Sequence, residues 1–193
     1  AIVGERERGS LDLLLTLPIT RLELMLGKYL GLAAALTVAT LGGFGLAGLA
    51  LSYGVGLGAL YHYGGFMLST LLMGFAFLSI ALLVSVYASN KVIASGVAVV
   101  LWFVYVLVYD LVLLGILVAT GGQYVGDALP LLLLLNPADV FRILNVFSLE
   151  EVKTFYGLAT IFPDALANPW LLGGVMLFWI VAPLAAAYAR FRH

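Results

Sequence analysis

Long apolar runs separated by short polar segments dominate the hydrophobic pattern of this chain. Four runs are long enough to cross a bilayer, at about residues 29–51, 66–88, 92–119 and 170–189. A hydrocarbon core about 30 Å thick requires about 20 apolar residues in a helix. The pattern therefore predicts an all-α polytopic membrane protein with four transmembrane helices. Pro183 lies inside the fourth run and predicts a kink there.

Composition strengthens this class assignment. Of the 193 residues, 64% are hydrophobic and 10% are charged, whereas soluble domains carry roughly 25% charged residues. The chain has no cysteine, which excludes disulfides, thiolate catalysis and cysteine metal sites.

The Lys and Arg residues of the loops indicate the orientation in the membrane, because positive charge accumulates on the cytoplasmic side. Two of the nine, Arg142 and Lys153, fall on one side. The other side carries Arg6, Arg8, Arg21, Lys28, Lys91, Arg190 and Arg192. We therefore expect residues 1–28 and the C-terminal tail to be cytoplasmic and residues 120–169 to be external, in a multi-pass protein of the plasma (inner) membrane.

Residues 1–28 concentrate charge directly before the first apolar run. The leucines of residues 11–17 predict a short amphipathic helix on the membrane surface, with Ser10 as N-cap and Pro18 at its end. Thr20 and Glu23 have the spacing of a capping box, so the next helix should begin near Arg21. Two interpretations stay open: a charged anchor that fixes topology, or a docking element that transmits force from a cytosolic partner. The stretch AIVG resembles the end of an earlier apolar helix, so we expect further spans upstream.

The external segment contains more than a plain loop. Its stretch LPLLLLL is apolar but too short to span, and the following NPADVFRILNVFSLEEV predicts a turn with Pro137 opening an amphipathic helix. We expect a re-entrant or interfacial helix and then the amphipathic one, both packed on the outer ends of the spans.

Asp110 is the one charged residue inside a predicted span. Intramembrane carboxylates are costly and usually face a cavity or a partner. Asp110 is either a cargo-path or gating residue, or a structural carboxylate satisfied by a Tyr hydroxyl or by Arg142.

Small residues recur at every fourth position of the first span, which would allow a second helix to approach closely. This ridge consists of Gly27, Gly31, Ala35, Ala39, Gly43 and Ala47. The alternative is a Gly- and Ala-rich helix without a special partner.

Candidate ligands for soft metals are few. They are His62, Met67, Met73, Met176 and His193, which favours ordinary loop and packing roles over a metal site. No phosphate-binding loop of the form GxxxxGK(S/T) is present in the sequence, so any ATP and Mg²⁺ would bind another chain. Neither an enzyme site nor nucleic-acid binding is indicated.

The motif GERERGSLDLLLTLPITRLELMLGKYLG resembles the coupling region of permease subunits of the ABC-2 type of ATP-binding-cassette transporter. The matching positions are Glu5, Arg6, Glu7, Gly9, Ser10, Leu11, Leu17, Pro18, Ile19, Thr20, Arg21, Leu26, Gly27 and Lys28. The resemblance implies that Glu5 to Arg21 couple the permease to a separate ABC ATPase subunit. It also implies a permease homodimer and a six-span fold of which this chain holds the last four spans, with short external re-entrant helices before the last.

Two further stretches, YDLVLLGILV and LNPADVFRIL, narrow the resemblance to the permeases of exporters that support maturation of nitrous-oxide reductase. That resemblance implies a periplasmic assembly partner and a cargo that is a sulfur species or copper. Residues that would lie on the transport path or at its gate are Tyr109, Asp110, Asn136, Pro137, Asp139 and Arg142. Two rivals stay open: an ion-coupled secondary transporter that uses Asp110, and a non-transporting membrane scaffold.

Overall fold

The structure is a computed structural model that describes residues 2–10, 14, 16, 18–55, 57–121, 128–147 and 168–192. Every regular element within these ranges is helical. In chain order they are α1 (Ile2–Glu7), α2 (Arg21–Val55), α3 (Leu57–Tyr87), α4 (Lys91–Phe103), a π-turn (Val104–Val108), α5 (Tyr109–Ala119), α6 (Leu129–Leu134), α7 (Pro137–Phe147) and α8 (Pro169–Arg192).

Four helical stretches of the described residues are long and apolar enough to cross a membrane: Arg21–Ala50, Tyr63–Tyr87, Lys91–Ala119 and Pro169–Arg192. We call them the first to fourth spans. They confirm the all-α fold with four membrane helices, and each contains most of the corresponding apolar run. Pro183 lies buried inside the fourth span, and its kink stays a prediction.

Local sequence signals explain where several helices begin. Thr20 and Glu23 form the predicted capping box: the Glu23 carboxylate accepts from the Thr20 amide at 2.7 Å, and the Thr20 hydroxyl accepts from the Glu23 amide at 3.2 Å. Helix α2 consequently starts at Arg21, ahead of the apolar run. Asn90 caps the third span through its side-chain oxygen, 2.8 Å from the amide of Ile93.

The second span lies in the middle of the bundle, with the first, third and fourth spans packed against it. Polar groups between spans are satisfied internally, as a membrane interior requires. The Tyr29 hydroxyl donates to the carbonyl of Phe75 at 3.2 Å, and the Ser79 hydroxyl donates to the Tyr29 oxygen, also at 3.2 Å.

The ridge of small residues on the first span faces away from the other three spans. All six of its members are exposed, and the span packs instead through Met25, Tyr29 and Ala33. A Cβ added at Gly27, Gly31 or Gly43 would meet no neighbour within 4 Å. A partner for this ridge stays a prediction.

At one end of the bundle lies α7, which we call the outer helix. It begins at Pro137 as predicted. Its buried residues Val140 and Ile143 pack against Leu172 and Met176 of the fourth span. Ahead of it, the short helix α6 is held where the Trp179 indole N–H donates to the carbonyl of Leu134 at 3.3 Å.

The opposite end of the bundle gathers the N-terminal segment, which we define as residues 2–10, the turn at residues 88–90 and the end of the fourth span. The seven basic residues that the sequence assigned to one side all lie at this end. Clustering of this kind is typical of a cytoplasmic face.

Candidate functional site

The N-terminal segment is anchored by two apolar side chains. Ile2 and Val3 are fully buried in α1, where Ile2 joins a cluster built from the first, second and fourth spans and Val3 packs with Ala88 and Ala94. Gly9 follows with a φ of +67°, a conformation that glycine adopts without strain. The segment is therefore fixed to the bundle at its start, and its backbone turns at Gly9.

Polar contacts fasten the same segment to individual spans. Glu5 forms an ion pair with Lys28 of the first span. The amide of Val3 donates to the Ser85 hydroxyl of the second span at 3.2 Å. The carboxylate of Glu7 accepts from the backbone amide of Lys91, the first residue of the third span, at 2.9 Å.

Arg21 extends these contacts to the fourth span. Its guanidinium donates to the carbonyl of Phe191 at 2.8 Å and stacks over the Phe191 ring at 5.8 Å. The last carbonyls of a helix lack partners within it and attract cations. Arg21 therefore caps the fourth span, so residues 2–7 and Arg21 together contact all four spans at one end of the bundle.

Several predicted coupling residues point away from this anchorage. Arg6, Arg8, Gly9 and Pro18 are exposed. Ser10, predicted as an N-cap, donates its hydroxyl hydrogen to the carbonyl of Glu5 at 3.3 Å. Leu11, Leu17 and most of the predicted amphipathic helix lie outside the described residues.

At the other end, the structure brings together five of the six predicted path or gate residues. We call Tyr109, Asp110, Asn136, Asp139 and Arg142 the polar cluster. The sixth, Pro137, opens the outer helix between them and is buried.

Arg142 binds both carboxylates of the polar cluster. One guanidinium nitrogen, Nη1, contacts the Asp110 carboxylate and also donates to Asp139 at 2.7 Å. The other, Nη2, donates to the backbone carbonyl of Val106 at 2.8 Å. Of the partners left open for Asp110, the structure therefore provides Arg142. The Tyr109 hydroxyl donates elsewhere, to the carbonyl of Leu132 at 2.7 Å.

The Asn136 side chain binds both the outer helix and the third span. Its side-chain oxygen accepts from the amide of Ala138 at 3.0 Å, which caps the outer helix. Its side-chain amide donates to the carbonyl of Tyr105 at 2.8 Å and to Asp139 at 2.7 Å. The residue is fully buried, so every polar atom of its side chain is used within the protein.

Two carboxylates share one guanidinium in the polar cluster, and Asp139 is the buried member of the pair, with 3% of its surface exposed. Burial, reinforced by Asp110 nearby, raises the pKa of Asp139 from 3.8 to about 7, although Arg142 and Asn136 act in the opposite direction. Asp139 can therefore exchange a proton near neutral pH.

Sequence reasoning missed the π-turn in the third span and the contacts of Glu7 and Arg21. The stretch Val104–Val108 carries no Gly or Pro that would mark an irregular helix. The three-residue spacing of Asp139 and Arg142 was a usable signal for an ion pair on the outer helix.

The soft-ligand candidates do not assemble in the described part of the chain. Met73 and Met176 pack in the apolar cluster beneath the outer helix. The His62 side chain and His193 lie outside what the structure describes. Within the described residues, no group of three or more His, Cys, Asp or Glu side chains is placed to hold a metal ion.

Comparison with known proteins gives the family. Residues 1–193 match the family described as ABC-2 family transporter protein. The probable ABC transporter permease protein NosY of Stutzerimonas stutzeri is 42% identical over 197 residues, an alignment that covers 100% of this chain and 71% of that protein. The protein of the same name from Pseudomonas aeruginosa is 43% identical over 202 residues, again covering 100% of this chain and 71% of the relative. This chain therefore belongs to the ABC-2 family of transporter proteins and is a NosY-like permease.

Proposed function

We propose that this chain is the membrane subunit of an ATP-driven exporter and that Glu5 to Arg21 receive the movement of a separate ABC ATPase subunit. The observation that carries the proposal is that residues 2–7 and Arg21 contact all four spans at one end of the bundle. A force applied there acts on Lys28, Ser85 and Lys91 together, whereas a simple topology anchor needs charge alone and no such contacts.

The exposed positions of this region supply the surface for the ATPase. Arg6, Arg8 and Pro18 are exposed, and Gly9, in its left-handed conformation, directly follows Arg8. ATP and Mg²⁺ bind the ATPase subunit. The permease works as a homodimer in the plasma (inner) membrane, with the N-terminal segment and the C-terminal tail in the cytoplasm.

The cargo serves maturation of the nitrous-oxide reductase metal centre, together with a periplasmic assembly protein. Support comes from the similarity to NosY proteins and from the motif LNPADVFRIL. A sulfur species suits the chain better than copper, because its sequence holds no Cys, four Met and two His, few of the soft ligands that copper transfer uses.

The decisive experiment separates ATP hydrolysis from transport in the reconstituted complex. Gly9→Val strains the left-handed turn, where a Cβ meets no neighbour, and Pro18→Ala removes the rigid end of the leucine-rich stretch. Both variants should insert and retain ATPase binding, hydrolyse ATP, and lose most cargo movement and most reductase maturation. Gly64→Val, at an open position of α3, is the matched control. Unchanged transport in both variants would refute the coupling role.

The same preparation tests the rival based on Asp110. A secondary transporter should lose transport on Asp110→Asn and should purify without an ATPase. An ABC exporter should copurify with an ATPase and stop when ATP is withheld.

A further inference from the structure

The third span is interrupted by a π-turn at Val104–Val108. In this turn the amide of Tyr109 binds the carbonyl of Val104, five residues earlier, whereas an α-helix closes over four. The turn therefore holds one residue more than a regular helical turn. Such insertions are rare and frequently lie at functional sites.

Two neighbouring carbonyls of the π-turn are bound from outside the span. The carbonyl of Tyr105 accepts from the Asn136 amide, and the carbonyl of Val106 accepts from the Arg142 guanidinium, each at 2.8 Å. Both donors belong to the outer helix or its cap. Arg142 also contacts Asp110, just after the turn. The outer helix and its cap therefore bind both the π-turn and the start of α5.

We propose that Asn136 and Arg142 are positioning residues that hold the third span in its π-form. When their hydrogen bonds to the carbonyls of Tyr105 and Val106 break, α5 rotates about its axis. Return to a regular α-helix shifts the register of α5 by one residue, which is a rotation of about 100° and a rise of about 1.5 Å. The inference rests on the proposed function in one respect: the rotation would open and close the outer end of the transport path.

The burial pattern of α5 makes the rotation measurable. Leu113 is 9% exposed, whereas its neighbours Val112 and Leu114 are 53% and 57% exposed. A register shift of one residue moves Leu113 to the angular position of one neighbour or the other. Both positions face outwards, so Leu113 should become exposed whichever way α5 turns.

The test uses a spin label at Leu113→Cys in the complete transporter, reconstituted in a lipid bilayer with its ATPase. The sequence of this chain has no other cysteine, so the label is specific within it. The measurement is the collision rate of the label with oxygen, which concentrates in the hydrocarbon region. Arg142→Met combined with Asn136→Leu should raise this rate several-fold.

Two milder variants keep the test decisive if the double variant fails to fold. Asn136→Ser retains an oxygen to cap the outer helix but is too short to reach the carbonyl of Tyr105. Arg142→Lys retains the positive charge beside Asp139 but not the second donor to Val106. Each should raise the collision rate by a smaller factor than the double variant.

Asn145→Leu is the matched control. Asn145 lies on the same outer helix and bonds to Ser69 and to the carbonyl of Phe141, without contact to the π-turn. Its collision rate should equal that of the parent. The proposal is overturned if folded Asn136 and Arg142 variants leave the label buried, or if Asn145→Leu exposes it equally, which would indicate general loosening.

The collision rate is independent of transport, so the two proposals fail separately. If the parent complex exports nothing but Leu113 becomes exposed in the variants, the rotation is supported and the exporter function is refuted. If the parent complex exports normally but Leu113 stays buried in every variant, the exporter function is supported and the rotation is refuted.

Discussion

Asp139 is the single residue whose charge should respond most to pH within the polar cluster. Burial raises its pKa from 3.8 to about 7, so the folded protein binds a proton more tightly than the unfolded chain does. This contribution to stability is fully present below about pH 4, and it is lost as the pH rises through about 7.

Replacement of Asp139 by Asn should remove this pH dependence. Between about pH 5.5 and pH 8.5 the parent should lose on the order of 1–2 kcal/mol of unfolding free energy that the Asp139→Asn variant does not lose. Thermal unfolding of the detergent-purified protein at both pH values measures the difference. If parent and variant shift in parallel, Asp139 does not titrate in this range.

The ion pair of Glu5 and Lys28 gives a second prediction. It is partly buried, with side chains 25% and 21% exposed, so loss of one partner leaves the other charge poorly solvated. Glu5→Lys should lower the unfolding free energy by about 1–2 kcal/mol and weaken coupling. The exchange of both charges, Glu5→Lys with Lys28→Glu, should restore much of the loss.

Lys91→Gln provides the charge control for this pair. It removes one positive charge from the same end of the bundle, while the backbone amide that binds Glu7 remains. Stability and coupling should stay close to the parent. A double exchange that performs no better than Glu5→Lys alone would show that the pair contributes through something other than mutual attraction.

Residue contacts were predictable when they were local. The capping box of Thr20 and Glu23 and the helix start at Pro137 follow from spacings of a few residues. The contact of Asp110 with Arg142 spans 32 residues and was one of two alternatives. The bond of Glu7 to Lys91 joins residues 84 apart and could not be read from either local sequence.

At the scale of helices, Gly74 lies where the second span packs against Leu36 of the first span. A Cβ at this position would lie 2.6 Å from the Leu36 Cδ2 atom of the first span. Glycine therefore allows the two helices to approach closely. Gly74→Val should lower the unfolding free energy by about 1–3 kcal/mol through overpacking.

Gly65 on the same span is the matched site, because a Cβ there meets no neighbour within 4 Å. Gly65→Val should change stability little, and the comparison cancels the effect of a β-branched residue on helix propensity. Denaturation of both variants in the same detergent measures the difference. Equal losses would show that helix propensity, rather than the contact with Leu36, decides the outcome.

The elements themselves were largely predictable, because 20 or so apolar residues in a bilayer have few alternatives to a helix. Both short helices between the third and fourth spans followed from LPLLLLL and from Asn136–Pro137. The π-turn was not predictable, since its stabilising donors, Asn136 and Arg142, lie about 30 residues beyond it in the chain.

For the whole molecule, the distribution of charge between the two ends predicts the orientation. Residues 2–10, the turn before Lys91 and the end of the fourth span lie together, and seven of the nine Lys and Arg residues lie there. We expect this end to face the cytoplasm. The polar cluster and the start of the fourth span should then lie near the periplasmic surface.

Labelling of single cysteines from each side of the membrane tests this orientation. Ile19 and Trp170 are exposed positions at opposite ends of the bundle, and Trp170 is 89% exposed. In cells with a permeabilised outer membrane, an impermeant maleimide should label Trp170→Cys and spare Ile19→Cys. Inside-out vesicles should show the reverse. The ATPase subunit should then protect Ile19→Cys, because Ile19 lies next to Pro18 of the proposed docking surface, and should leave Trp170→Cys reactive. Labelling of Ile19→Cys from the periplasm would place residues 5–21 on the wrong side for any nucleotide-driven partner, and the proposed coupling mechanism would fail with it.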